Sequence, residues 1–158
     1  MTSARDTHDI GESLSKERLR LWLKLLKTSN QIESEIRRRL RSEFGSTLPR
    51  FDVMSALART SDGLKMSEIS KRLRVSNGNI TGIVDKLTEE GLASRRSIPG
   101  DRRANLVQLT PKGREVFAEH AEAHESWISG ILCDLDENDI EGMIQRLDHL
   151  SQSLEDQN

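Results

Sequence analysis

The stretch VSNGNITGIVDKLTEEGL, residues 75–92, decides the fold. Ile80, Ile83, Val84 and Leu87 recur at helical spacing, so at 100° per residue they share one face, about 100° wide. That face must be core. The opposite face then carries Gly78, Gly82, Asp85 and Glu89, with Asn79 and Lys86 on one shoulder and Asn77 and Thr81 on the other. Each glycine costs about 1 kcal/mol against Ala in a helix interior, and both stand where a helix normally gains from a side chain. Either they are neutral occupants of a solvated face, or their missing Cβ atoms give clearance to something that approaches the backbone closely.

The flanking residues set this helix in a larger order. MSEISKRL, 66–73, reads as a short preceding helix, and RVS, 74–76, turns the chain with Ser76 as N-cap. Gly91 closes the helix from the C′ position. Upstream, STLPRFDVMSALAR, 46–59, starts a helix with Thr47 or a neighbour as cap and Pro49 in the first turn, where a missing N–H costs nothing. Downstream, LASRRSIPGDRRANLVQLT, 92–110, holds strand-like segments near 92–96 and 104–109 around a loop with Pro99-Gly100, a hairpin pattern. Thr110-Pro111 then opens a fifth helix carrying Phe117, Ala121, His124, Trp127, Ile128 and Ile131. A last helix from about Glu137 shows Ile140, Met143, Ile144, Leu147, Leu150 and Leu154 at clean helical period.

At the other end, residues 1–12 read as frayed, and a long helical pattern runs from about Ser13 to Phe44. Its stripe (Leu19, Trp22, Leu23, Leu26, then Ile32, Ile36, Leu40) shifts near residues 28–30, which predicts a bend or a change of packing partner. The fold class expected is mainly α with a small β-hairpin wing. A winged helix-turn-helix spans 47–110, and 13–46 and 111–155 form a helical region. Those terminal helices exceed what one small core can use, so they are expected to pack against a second copy.

Composition narrows the classes. No apolar run approaches the roughly 20 residues of a membrane span, and MTSARDTHDIGESLSKERLR lacks the apolar centre of a signal peptide. A single cysteine rules out an internal disulfide framework and fits a reducing cytoplasm. The net charge of -2 conceals a basic segment, nine Lys and Arg against five Asp and Glu over 65–103, and an acidic one, one against twelve over 115–158. The asymmetry is either two differently solvated faces or a basic face for a polyanion. No nucleophile–base constellation and no phosphate loop points to an enzyme.

A polyanion gives the glycine face a use. The N-terminal half of helix 77–89 enters a major groove, where Gly78 and Gly82 allow close approach and Asn77 and Asn79 address base edges. Thr81, Lys86, Arg72 and Arg74 meet phosphates, and Ser76 meets a base edge or a phosphate. Asp85 and Glu89 are repelled by phosphate, so the C-terminal half tilts outward. Arg95, Arg96, Arg102 and Arg103 form either a solvated turn or a wing that inserts Arg into a minor groove. Asp101 reads as an acid that holds a neighbouring Arg in shape.

Taken together, residues 64–117, with Asp101-x-Arg103 and LVQLTPKG (106–113), resemble the MarR (multiple-antibiotic-resistance regulator) family of winged helix-turn-helix transcription factors. Lys65 departs from the pattern, standing where many relatives have a threonine cap. The resemblance implies a cytoplasmic homodimer joined through its first, fifth and sixth helices. Double-stranded DNA with a pseudo-palindromic operator is its implied partner, and no cofactor is implied. VSNGNITGIVDKL and AHESW (123–127) are similar to a branch that controls catabolism of aromatic acids. That branch implies a repressor responsive to an aromatic carboxylate or its coenzyme A thioester.

Candidate effector residues have double readings. IRRRLR, 36–41, puts Arg37 and Arg41 on one face with Arg38 beside them, either a solvated basic stripe or a seat for an anion. Trp22 is either packing or the wall of an aromatic pocket. His120 and His124 are four apart, a spacing that can bind metal. No Cys or third His stands nearby, so both read as pocket or interface histidines, His124 above all. Cys133 reads as a buried small apolar residue; cysteine-sensing relatives carry theirs near the N-terminus. The alternatives are a redox- or metal-responsive regulator of the same fold, and a winged helix serving as a protein-interaction module.

Overall fold

The computed structural model describes residues 4–73 and 77–157, without the side chains of 4–10, 12, 77, 102 and 103. The elements are α1 (Ala4–Phe44), α2 (Leu48–Ala58), β1 (Leu64–Lys65), α3 (Met66–Leu73), α4 (Asn77–Glu89), β2 (Ala93–Ile98), β3 (Asp101–Leu109), α5 (Pro111–Ile131) and α6 (Glu137–Glu155). They form two compact units, residues 1–120 and 121–158. The fold is mainly α with a small wing, as the sequence order requires.

The core of the first unit is built from one face of each short helix. Val53, Met54 and Leu57 of α2, Ile69 of α3, Ile80, Val84 and Leu87 of α4, and Val107 of β3 are all at most 1% exposed. Thr47 caps α2 by accepting from the Arg50 N–H at 3.3 Å, with Pro49 in the first turn. In α3 the Glu68 carboxylate reaches back to accept from the Lys65 N–H at 2.7 Å. That bond replaces the threonine cap and fixes the helix start at Met66.

The end of α4 and the start of α5 are tied by one hydrogen-bonded knot. Gly91 takes φ 73°, and its N–H and that of Leu92 donate to Thr88 O at 3.0 Å and Leu87 O at 2.8 Å, a Schellman closure. The Thr110 hydroxyl donates to Gly91 O at 2.6 Å and accepts from the Gly113 N–H at 3.0 Å, so it caps α5 while holding α4. The Thr110 N–H donates to Leu92 O at 3.0 Å, and Lys112 Nζ reaches Glu90 O at 3.3 Å. A Cβ on Gly113 would stand 1.9 Å from Leu92 O. The Thr-Pro-Lys-Gly run of the family signature is therefore a close-packing device.

The sheet has strand order β1-β3-β2, antiparallel throughout. The hairpin strands run longer than 92–96 and 104–109 and leave only Pro99 and Gly100 between them. Proline's fixed φ excludes the primed turns usual in hairpins, and Gly100 takes φ 88°. The register shifts between Ser97 and Ile98. β1, pairing Leu64 with Val107 and Lys65 with Leu106, is absent from the sequence reading because two residues carry no alternation.

Two expectations need correction. α1 begins at Ala4 rather than near Ser13; no proline interrupts 4–12, and Asp6, Asp9 and Glu12 suit a helix N-terminus. It runs unbroken through 28–30, and the stripe shift coincides with a change of packing: Leu19, Trp22, Leu23 and Leu26 are exposed, whereas Ile36 and Leu40 are buried. Cys133 is exposed, because it falls in the turn between α5 and α6 rather than on a helix face. In the second unit α6 starts with a capping box between Asp136 and Asp139, and its apolar stripe from Ile140 to Leu154 is left uncovered. No helix among the described residues is long and apolar enough to cross a membrane.

Gly113→Ala is expected to lower the unfolding free energy by about 1–3 kcal/mol, the usual cost of overpacking. Gly130→Ala in the same helix, where a Cβ meets nothing within 4 Å, is expected to be neutral or stabilising. Urea denaturation of the two variants checks this, and equal midpoints would contradict it.

Candidate nucleic-acid interface

With Ile80, Val84 and Leu87 fully buried and Ile83 half-buried, the roll of α4 is set. Gly78, Asn79, Thr81, Gly82, Asp85, Lys86 and Glu89 are all exposed, as the helical wheel requires. A Cβ at Gly78 or Gly82 would meet nothing within 4 Å. Neither glycine has a positive φ, so nothing in the chain's own packing requires them. The face opens beside a hollow of about 500 Å3 whose other wall is the start of α2, with Thr47 and Arg50. Arg74 and Ser76 lie outside the described residues, as does the Asn77 side chain; Arg72 is exposed in the last turn of α3.

Two arginines from different elements pair with acids of this segment, Glu90 just past the end of α4 and Asp85 on its outward face. Arg50 of α2 donates twice to Glu90, through Nη1 to Oε1 at 3.0 Å and through Nη2 to Oε2. This holds the Glu90 carboxyl below the usual range. Arg95 of β2 pairs with Asp85. The sequence reading made Asp85 a repelled acid and Arg95 a DNA contact; the structure joins the two and so ties the wing to the helix. Neither pairing has a signal in the sequence, since the partners are 40 and 10 residues apart. Arg96 is exposed on β2, and the Arg102 and Arg103 side chains lie outside the described set.

The candidate effector residues are partly brought together. Arg37, Arg38 and Arg41 line one hollow of about 480 Å3 with Ser34 and Ser42. Two of the three are already engaged: Arg37 with Glu33 at 2.6 Å, and Arg38 with Glu35 at 2.6 Å. Arg38 and then Arg39 hold the Glu35 carboxyl down at about 2. Arg41 makes no ion pair among the described residues. Trp22 is 57% exposed, so within its own chain it is not core. His124 belongs to the second unit. Among the described residues no group of three His, Cys, Asp or Glu could hold a metal ion.

The model described as MarR family matches residues 44–104. A MarR family transcriptional regulator from Silicibacter pomeroyi has a solved structure that is 30% identical. It superposes with a TM-score of 0.74 over 89% of this chain and 96% of that one. The chain belongs to the MarR family. It is thus a transcriptional regulator and not an enzyme. Another MarR-type relative is the transcriptional activatory protein BadR of Rhodopseudomonas palustris, 27% identical over 124 residues, 77% of this chain and 70% of that protein. FabT of Streptococcus pneumoniae, solved in complex with DNA, shares the MarR fold with a TM-score of 0.72 and 24% identity over 89% of this chain and 99% of that one.

Of the two histidines on α5 of this MarR protein, His120 is the buried one, stacked on Phe44 with ring centroids 4.1 Å apart and Nδ1 without a hydrogen-bond partner among the described residues. Burial lowers its pKa below the ordinary 6.5; Glu119 opposes the shift and Arg50 adds to it. Because the folded state resists a proton that the unfolded chain accepts, stability is full above about pH 6.5 and falls as the pH drops below it. Urea midpoints at about pH 7.5 and about pH 5.5 should differ more for the parent than for His120→Phe, which keeps the stack. An identical pH dependence in both proteins would contradict the buried neutral imidazole.

Proposed function

We propose that this MarR family regulator acts as a cytoplasmic homodimer that reads a pseudo-palindromic operator and releases it on binding a small organic anion. One observation carries the DNA reading. The outward face of α4 combines two glycines that the chain's own packing does not need with Asn79, Thr81 and Lys86, beside a basic wing. In a major groove, about 12 Å wide, that face lets the backbone approach the base edges. Asn77 and Asn79 discriminate bases, while Ser76, Thr81, Lys86, Arg72 and Arg74 engage phosphates. Arg96, Arg102 and Arg103 of the wing enter the adjacent minor groove.

In this reading residues 47–110 are the DNA-binding domain, and 13–46 with 111–155 join the two copies. The exposed stripes Leu19–Leu26 of α1 and Ile140–Leu154 of α6 support it, because apolar surface of that extent marks an interface. A dimer spaces two recognition helices for half-sites one turn, about 34–36 Å, apart. The effector we propose is an aromatic carboxylate or its coenzyme A thioester, with its anion at the hollow of Arg37, Arg38 and Arg41. It would favour a dimer geometry that no longer matches the half-sites, a population shift rather than a blocked groove. Repression follows where the operator overlaps a promoter.

Fluorescence anisotropy on a promoter fragment, paired with thermal melts, tests the DNA contacts. Asn79→Ala and Arg103→Ala should each weaken operator binding by about 1–3 kcal/mol. Gly78→Leu should abolish binding without lowering the melting temperature, because its side chain meets only open space. Parental affinity in all three variants would overturn the assignment, and a Gly78→Leu protein that melts early yet binds normally would make the glycine structural.

A further inference from the structure

The proposed DNA face carries an acid where the ligand is a polyanion, and that acid is not idle. Asp85 sits on the outward face of α4 with Gly78 and Gly82, and holds Arg95 of β2. The ion pairs of Glu90 and Asp85 differ in kind. Arg50–Glu90 is a two-bond fork, with Arg50 21% and Glu90 48% exposed. Asp85–Arg95 is a single contact with Arg95 33% and Asp85 50% exposed. A forked pair holds geometry, whereas a single contact between partly exposed side chains is weak and exchangeable.

We propose that Asp85 sets specificity by masking Arg95. This rests on the DNA-binding reading of α4 and the wing. On duplex of arbitrary sequence the helix rides high, and Arg95 stays with Asp85, so a cation beside the groove adds nothing to indiscriminate affinity. On the operator the helix is seated deeply, a phosphate reaches Arg95, and the guanidinium exchanges one anionic partner for another. The pair therefore withholds one phosphate contact from wrong sequences and releases it for the right one.

The test uses the full-length parent, Asp85→Asn and the Asp85→Asn/Arg95→Gln double variant. Two probes are titrated across a salt series: a mixed-sequence duplex, and the operator selected by the parent from a random duplex pool. Asp85→Asn should bind the mixed duplex roughly tenfold more tightly, with a log–log salt slope steeper by about 0.9, the value of one further phosphate. Its operator affinity should rise less, so the ratio between the probes falls. The double variant should return the mixed-duplex slope to the parent value. An unchanged or weaker affinity of Asp85→Asn for the mixed duplex would overturn the proposal. So would a double variant that keeps the steeper slope, since the gain would then come from lost repulsion rather than from an unmasked Arg95. A parent that selects no duplex would instead remove the DNA-binding reading itself.

Discussion

Burial of Ile80, Val84 and Leu87 is the constraint from which the rest of the DNA-binding unit follows. Each is fully enclosed, and burying such a side chain is worth about 1.5–3 kcal/mol. Two glycines in the same helix cost about 1 kcal/mol each, so packing wins over poor helix propensity. Once these three residues are inside, the helix has no freedom of roll. Gly78, Gly82, Asp85 and Glu89 must face outward whatever that face is for.

What packing leaves open is how the helix is held along its length. The C-terminal turn is locked by the first turn of α5: the carbonyls of Glu90, Gly91 and Leu92 all accept bonds from Lys112 or Thr110. Gly113 allows that approach because it has no Cβ. Arg50 then braces the end of the helix through Glu90. A recognition element built this way can be poor in intrinsic helix propensity and still be fixed in place, which frees its outward face for function.

How much of this was legible in the sequence depends on the range of the interaction. Ile80, Ile83, Val84 and Leu87 are legible because periodicity is local, and so are the Thr47 cap and the Gly91 closure. The winged helix-turn-helix follows from their order. β1 was not, since two residues paired across about 40 positions of chain leave no pattern. The braces Arg50–Glu90 and Asp85–Arg95 join separate elements, and a charged residue in sequence does not say which opposite charge it meets. In α1 the run Arg37–Arg41 looked like a free basic stripe, yet Glu33 and Glu35, one turn away, engage two of its guanidinium groups that line the hollow. Glu33 and Glu35 precede these arginines by four and three residues, the spacings at which helical ion pairs form. Cys133 was misplaced because an apolar residue past a helix end looks the same in sequence as one on its face.

In the proposed complex the bare face of α4 lies against the floor of a major groove. Methylation protection on the selected operator tests it most directly, because guanine N7 lies in the major groove and adenine N3 in the minor. The account predicts two patches of protected guanine N7 about 10–10.5 base pairs apart, flanked by protected adenine N3 where the wings reach. Bound DNA with every guanine N7 as reactive as in the free duplex would contradict it.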